Sequence, residues 1–408
     1  MTISVDEVRN ELNRIVESSS SDIRRVAKCR ILLNNLMSTF LTNLVEILKE
    51  VIKFLAQDNV NLFVSRQMFS DFCMRILPWI PDSQSKLLAH CMQEEMQPRE
   101  VHFEYHLSIV CHHLSRIYEK EGNWKEAASW LVSIPAESYY RFSVDYELEL
   151  FIKIACLYME DDPLLAEPYV KKASVLQCLT SNKDLELSFR ACNARMLDFR
   201  LKFIEAAHEY RELSISSLSQ VESMTALKNT IVCTILSFPG VDRTLLLNSL
   251  SCDQRCEVFI KSSILENLRD VRIIKPQEID EIETLLLPHQ KVKINYDTSI
   301  LVEAIAEHNI QAIKKLYKNI KIESLGCLLE LEPYKAELIA RRMISEGRIE
   351  GSINQRDGFI SFELQNTDEL LESWRDRIES LNIQFNRLNE LVLSNSPLQT
   401  VKNDHRDV

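Results

Sequence analysis

Only six of the 408 residues are glycine, where average usage of about 7% would give roughly 29. Glycine is the residue that enters left-handed backbone without penalty. Phosphate-cradling loops, nucleophile elbows and tight hairpins all need it, most of them in clusters. Here no two glycines are spaced G-x-G, and none precedes a lysine. The chain therefore lacks the fingerprints of P-loop enzymes, dinucleotide-binding folds and serine hydrolases. A sheet-rich fold is equally disfavoured. The reading that remains is mainly α: long helices joined by short connections.

The arrangement of the helices shows in a repeat. In Tyr118-Glu-Lys-Glu-Gly-Asn-Trp-Lys-Glu-Ala-Ala-Ser-Trp-Leu131 an aromatic residue closes one helix, a polar turn follows, and paired alanines open the next. Leu157-Tyr158, Asp161-Asp162 and Leu165-Ala166 follow the same plan, as do Phe199, Phe203 and Ala206-Ala207. Ala127, Ala166 and Ala206 are 39 and 40 residues apart, and Gly240 lies about three periods beyond Gly122. A period of that length with two helices per unit marks an α-solenoid of tetratricopeptide-like repeats. Alanine suits positions where paired helices approach closely.

The last hundred residues differ. Four of the six glycines, at 326, 347, 351 and 358, fall within 33 residues. Helical periodicity runs from Ser299 to Tyr317, and a β-like piece, Ile320-Lys-Ile322, follows. Ser324 can cap a short helix. Pro333 suits the first position of another, which Gly347 stops in the left-handed C′ conformation. The period then changes to two at Ile349, Gly351 and Ile353, and again at Phe359, Ile360 and Phe362, with Arg356-Asp357-Gly358 as the turn between. Strand, two helices and a hairpin make a winged helix. Its apolar strand residues, Ile320, Ile322, Ile349, Ile353, Phe359 and Phe362, are expected to form a surface for side-by-side assembly, since a wing edge is an unpaired ladder. Beyond it, Leu371, Trp374, Ile378, Leu381, Phe385, Leu388 and Val392 alternate steps of three and four. That is an a/d seam, which must be buried against other helices. Thr367 is its expected cap, and the polar tail from Ser394 is expected to be disordered.

The expected boundaries are 1–195 for the helical array, 196–286 for a further helical part, 287–298 for a loop, 299–365 for the winged helix, 366–393 for the terminal helix and 394–408 for the tail. Net charge is −12 and the pI is near 5.4. Residues 320–363 carry six Lys/Arg and eight Asp/Glu. DNA affinity comes largely from phosphate neutralisation, so the winged helix reads as a protein-binding module, with Arg341 and Arg342 as solvated or interface charges. A nucleic-acid-binding winged helix is the alternative from another class. Eleven scattered cysteines without a CxxC read as reduced thiols of a cytoplasmic and nuclear protein. Met1–Asp6 has neither the basic nor the apolar region of a secretory signal.

Catalytic or metal chemistry finds little support. His90, Cys91, His102, His106, Cys111, His112 and His113 cluster in sequence. His102 and His106 have a spacing that zinc sites use, but no HExxH, His-x-His or PCxxC accompanies them. These read as polar helix faces and satisfied core histidines. No catalytic residue, metal ligand or cofactor is expected.

A helical array ending in a winged helix resembles the PCI-domain family, shared by the proteasome lid, the COP9 signalosome and translation initiation factor three. The residues that carry the resemblance include Glu307-His-Asn309, Leu316-Tyr-Lys-Asn-Ile320, Leu325-Gly-Cys-Leu-Leu329, Met343-Ile-Ser-Glu-Gly-Arg348 and Gly351-Ser-Ile-Asn-Gln355. Phe203-Ile-Glu-Ala-Ala207, Cys233-Thr-Ile-Leu236 and Leu287-Pro-His-Gln-Lys291 add to it upstream. Pro168, early in a repeat helix, and the segment Val292–Tyr296 depart from the pattern. The resemblance is to signalosome members. It implies a non-catalytic scaffold in the complex that removes Nedd8 from cullin-RING ubiquitin ligases, with the isopeptidase in another subunit. It also implies that winged helices line up in a ring and terminal helices gather in a bundle. His289, Lys291, Lys293 and Tyr296 would form a partner-facing loop, toward the catalytic subunits or the cullin-RING substrate. A scaffold subunit of the 26S proteasome lid is the alternative within the family. No membrane is implied as a partner.

Overall fold

A computed structural model describes residues 5–17, 21–38, 44–134, 143–216, 219–295 and 298–362, together with 374, 375, 378, 379, 381 and 385. The chain divides into two compact units: residues up to 237 with 253–259, and residues 238–252 with those from 260 onward.

Among its described residues the first unit is built of helices and the turns that join them, with no strand. Its helices are α1 Val5–Glu17, α2 Asp22–Ser38, α3 Leu44–Ala56, α4 Leu62–Asp71, α5 Asp82–Met96, α6 Glu100–Lys120, α7 Trp124–Val132, α8 Val144–Asp161, α9 Pro163–Gln177, α10 Lys183–Phe199, α11 Phe203–Ser216 and α12 Gln220–Leu236. From α5 onward neighbours in sequence pack as hairpins, most extensively α8 on α9 and α11 on α12, whereas before it the main contacts skip one helix, α1 on α3, α2 on α4 and α3 on α5. The apolar stripe of α3 is buried at Ile47, Leu48, Val51, Ile52 and Leu55. Edge-to-face packing of Phe69 on Phe103, centroids 5.1 Å apart, joins α4 to α6.

The repeat lies where the alanines place it. Ala127, Ala128, Ala166, Ala206 and Ala207 have no exposed surface at all. The turns repeat too, but not through glycine alone. Gly122 stands at φ +77° between α6 and α7. Leu201, 79 residues later, stands at φ +60° between α10 and α11. The hydrogen bonds match: Gly122 N donates to Glu119 O and Asn123 N to Tyr118 O, while Leu201 N donates to Asp198 O and Lys202 N to Leu197 O. This is the Schellman stop, made once with glycine and once with leucine. Gly240, expected at the next such turn, is instead extended at φ −173° as the N-cap of the following helix. Val271 (φ 54°) and Glu330 (φ 53°) also hold left-handed backbone just after a helix. Each costs roughly 1–2 kcal/mol relative to right-handed backbone. A glycine-poor chain thus still makes left-handed stops, with strain that packing must offset.

The expected boundary at 195/196 falls inside α10, whose backbone hydrogen bonds run across it. The break lies after α12 instead. Residues 253–259 return to the first unit because Arg211 Nη1 and Arg255 Nη2 grip Asp253 at 3.0 and 2.8 Å, and Arg255 reaches Ser223 Oγ at 3.0 Å. Those guanidinium groups, Arg255 first, hold the Asp253 carboxyl far below the usual range.

The second unit contains α13 Val241–Ser251, α14 Ser262–Arg269, α15 Pro276–Glu283, β1 Lys293–Asn295, β2 Thr298–Ser299, α16 Ile300–Leu316, β3 Asn319–Lys321, α17 Ile322–Leu329, α18 Pro333–Ser345, β4 Gly351–Asn354 and β5 Phe359–Phe362. The three strands β3, β5 and β4 form one antiparallel sheet in that order. Ile360 pairs with Ile320 on one side and Ile353 on the other. That isoleucine row packs with Ala306, Ile310 and Ile313 of α16 and Ala336, Ala340 and Met343 of α18. The module is the winged helix read from the sequence. Pro333 opens α18, Gly347 stops it at φ +70°, and Gly358 closes the hairpin at φ +66°. Ser324 is not a cap, since α17 starts two residues earlier at Ile322.

Candidate functional site

The sequence of α16 is apolar at core spacing, yet Glu307, His308 and Asn309 at its centre are all buried. Asn309 imitates a strand neighbour: its Oδ1 accepts from Ile274 N at 2.9 Å and its Nδ2 donates to Ile274 O at 3.2 Å. His308 Nε2 donates to Arg272 O at 2.9 Å. Burial, with Arg243 nearby, pulls the His308 pKa down to about 4, so the ring is neutral at pH 7. Together they clamp the 272–274 backbone beside strained Val271.

Glu307 binds the other side. Arg348 makes a two-pronged contact, Nη1 to Oε2 at 2.6 Å and Nη2 to Oε1 at 3.0 Å. Arg342 Nη2 adds a bond to Oε1 at 2.7 Å, and its Nη1 pairs with Glu303. Arg348 also reaches Glu346 and lies 4.7 Å over the Phe238 ring. Burial works against both guanidinium charges, and the carboxylates outweigh it, so both groups sit above their ordinary range. The network ties α16, α18 and the turn after α18 into one body. Arg342, read from sequence as a solvated or interface charge, points inward; only Arg341 is exposed. One helical residue rotates the side chain by about 100°, which a run of two arginines does not reveal.

The expected assembly surface needs correction. Ile320, Ile349 and Phe362 are buried in the winged-helix core, and Ile322 and Ile353 pack partly against it. Only Phe359, with Lys321 Nζ 5.7 Å over its ring, stays half-exposed without joining that core. Period-two alternation marks a strand with one buried face. Here that face turns to the chain's own helices. What the sheet offers outward is backbone, because β3 and β4 are its two edges.

The segment 287–298 is not a plain loop. Pro288–Lys291 forms a 3₁₀ turn, and β1 and β2 pair antiparallel after it. Gln290 is buried, and its side chain accepts from Leu287 N at 2.9 Å. Sequence reasoning missed Gln290. Its signal was the box Leu287-Pro-His-Gln290, in which a glutamine at the third position satisfies the first donor. His289 is half-buried, Lys291 is exposed, Lys293 lies in β1, and Tyr296 is outside the described residues.

On the terminal segment, the described residues Trp374, Ile378, Leu381 and Phe385 are helical and exposed by 62, 53, 64 and 62%. Steps of four, three and four put all four on one stripe. Leu371, Leu388 and Val392 of the same seam lie outside the described residues, as do the expected cap Thr367 and the tail.

The histidines scatter. His102 is exposed and His106 is buried. Among the described residues no group of His, Cys, Asp and Glu is placed to hold a metal ion. His113 Nε2 lies 2.7 Å from Ser85 Oγ, a separation suited to a nucleophile and its base. The protons run the wrong way. Arg116 donates to His113 Nδ1, so Nε2 carries the hydrogen, and Ser85 gives its own to Leu77 O. The pair is a buried structural contact. His90 packs edge-on to Trp130, and His112 bonds Tyr146 Oη at 2.8 Å.

Comparison with known proteins agrees with this architecture. Residues 7–222 match a family model described as PSMD12/CSN4, N-terminal, and residues 286–364 match the PCI domain. COP9 signalosome complex subunit 4 of Drosophila melanogaster is 38% identical over 96% of each chain. The protein of the same name from Dictyostelium discoideum is 33% identical over 94% of this chain and 97% of its own length. That from Arabidopsis thaliana is 36% identical over 81% of this chain and 85% of its own.

Proposed function

From the premise that the chain belongs to the COP9 signalosome subunit 4 family of PCI-domain proteins, we propose that it is a scaffold subunit of that complex. The observation that carries the reading is the exposed seam at Trp374, Ile378, Leu381 and Phe385. Fully burying such side chains is worth about 1.5–3 kcal/mol each, and more than half of each is open. Closing the stripe against partner helices would contribute roughly 4–7 kcal/mol before ordering costs. Few soluble chains leave such a stripe uncovered.

The finer parts of the proposal follow from the same premise. The scaffold serves a complex that removes Nedd8 from cullin-RING ligases, and the isopeptidase resides in another subunit. The proteins it meets are other signalosome subunits, through its terminal helix and the free edges of β3 and β4. The 288–299 turn and hairpin, with His289 and Lys291, face the catalytic subunits or the cullin-RING substrate. The complex works in cytoplasm and nucleus. A lid subunit of the proteasome is the second reading, because the first family model spans both kinds of protein.

Tagged chain and its Ile378→Glu/Leu381→Glu variant, expressed in cells, decide the matter. The parent should recover signalosome subunits, and the variant should lose them while its helical circular dichroism and melting temperature hold. Full recovery by the variant removes the seam from assembly. Recovery of proteasome subunits by the parent moves the chain to the second reading.

A further inference from the structure

Between α18 and the β4–β5 hairpin lies a groove of about 580 Å³. Its helix side presents Glu337, Arg341 and Ile344, one face at steps of four and three; its hairpin side presents Ile353, Gln355 and Arg356. Ile344 and Ile353 are half-buried against the core, and the two arginines are exposed. The charges are arranged unevenly. Arg342 and Arg348, close in sequence, are neutralised by Glu303, Glu307 and Glu346. Glu337 is occupied by Gln355 Nε2 at 2.7 Å. Arg341 and Arg356 have no side-chain acceptor among the described residues. The groove thus has an apolar floor and two uncommitted guanidinium groups.

We propose that this groove binds an extended acidic segment of a partner protein. In an extended chain successive side chains point to opposite sides. A segment alternating carboxylate and apolar residues can turn its carboxylates to Arg341 and Arg356 and its apolar residues to Ile344 and Ile353. Guanidinium groups bind carboxylates through two parallel hydrogen bonds, which favours them over lysine for such recognition. A nucleic-acid backbone fits less well. A duplex backbone presents phosphates and no apolar side chains, so it leaves Ile344 and Ile353 without a partner, whereas the alternating segment meets both the guanidinium groups and the isoleucines. The proposal stands apart from the assembly reading, because it concerns the isolated chain.

The test uses the full chain and a fluorescein-labelled eight-residue peptide of alternating glutamate and valine, read by fluorescence anisotropy. Arg341→Glu/Arg356→Glu should weaken binding at least tenfold. Lys318→Glu/Lys321→Glu makes the same charge change on exposed residues that do not line the groove, and should alter binding less than twofold. Circular dichroism checks the fold of each variant. If the glutamate pair unfolds the chain, Arg341→Gln/Arg356→Gln replaces it with the same expectation. The proposal is overturned by absence of saturable binding or by equal binding of a glutamine–valine peptide. Equal loss in the lysine variant, or tighter binding of a 20-base-pair duplex that the arginine variant abolishes, also overturns it.

Discussion

Replacing Glu307 by glutamine keeps the shape of the buried side chain and removes its charge. The carboxylate accepts three charge-assisted bonds at 2.6, 2.7 and 3.0 Å. Its side chain is 1% exposed, against 27% for Arg342 and 16% for Arg348. Removing one partner of a buried ion pair costs about 3–5 kcal/mol, because the other charge stays behind uncompensated. Arg342 retains Glu303 and Arg348 retains Glu346, so the lower end applies, about 3 kcal/mol. A chain of two units need not melt in one step, so amide hydrogen exchange in α16 and α18, read by mass spectrometry, is the better assay. At 1.4 kcal/mol per tenfold, protection there should fall about 100-fold, with α3–α6 unaffected. Glu346→Gln serves as the control, since Arg348 keeps its buried partner and little should change. A loss of less than about fivefold in Glu307→Gln would refute the reasoning, and would show that the arginines find water or other acceptors at small cost.

Ala206→Leu inserts three heavy atoms where no surface is open. It should destabilise the first unit by about 1–3 kcal/mol through overpacking, and an unchanged denaturation midpoint contradicts close helix approach there. A pH dependence follows from His308 and His113, both pulled by burial from 6.5 to about 4. Between those values the unfolded chain binds more protons than the folded one, so stability is fully present above about pH 6.5 and declines as the pH falls toward 4. His308→Gln should flatten part of that decline in urea unfolding followed across the window. An identical slope in parent and variant rules out His308 as a contributor.

Much of the fold was legible because it rests on local chemistry. The alanine period marked the close approaches, since only a small side chain permits them. Pro333, Gly347 and Gly358 marked the ends and turns of the winged helix, since proline and glycine act through their own backbone. The histidines of the 90–113 cluster read as polar helix faces and core residues, and the structure buries His106 and His113 and leaves His102 exposed. Harder to read was whatever depends on direction in space. Leu201 repeats the turn of Gly122, backbone hydrogen bonds included, in a strained conformation that no single-residue preference announces. Arg341 and Arg342 are adjacent and chemically alike, yet one lines an open groove and the other enters a buried network.

The strands show the same division. Alternation at 349–362 predicted a buried face, and a buried face exists. Alternation cannot say whether the chain itself or a partner covers it, and three-dimensional packing assigned it to α16 and α18. The terminal stripe is the opposite case. Its spacing announced a seam, and the described residues Trp374, Ile378, Leu381 and Phe385 are exposed on it. The sequence alone determined a helical array with a winged helix and an apolar terminal stripe, through periodicity and backbone preference. Only the tertiary structure decided which apolar and charged groups face inward, because burial depends on what lies opposite, and that is set by residues distant in the chain.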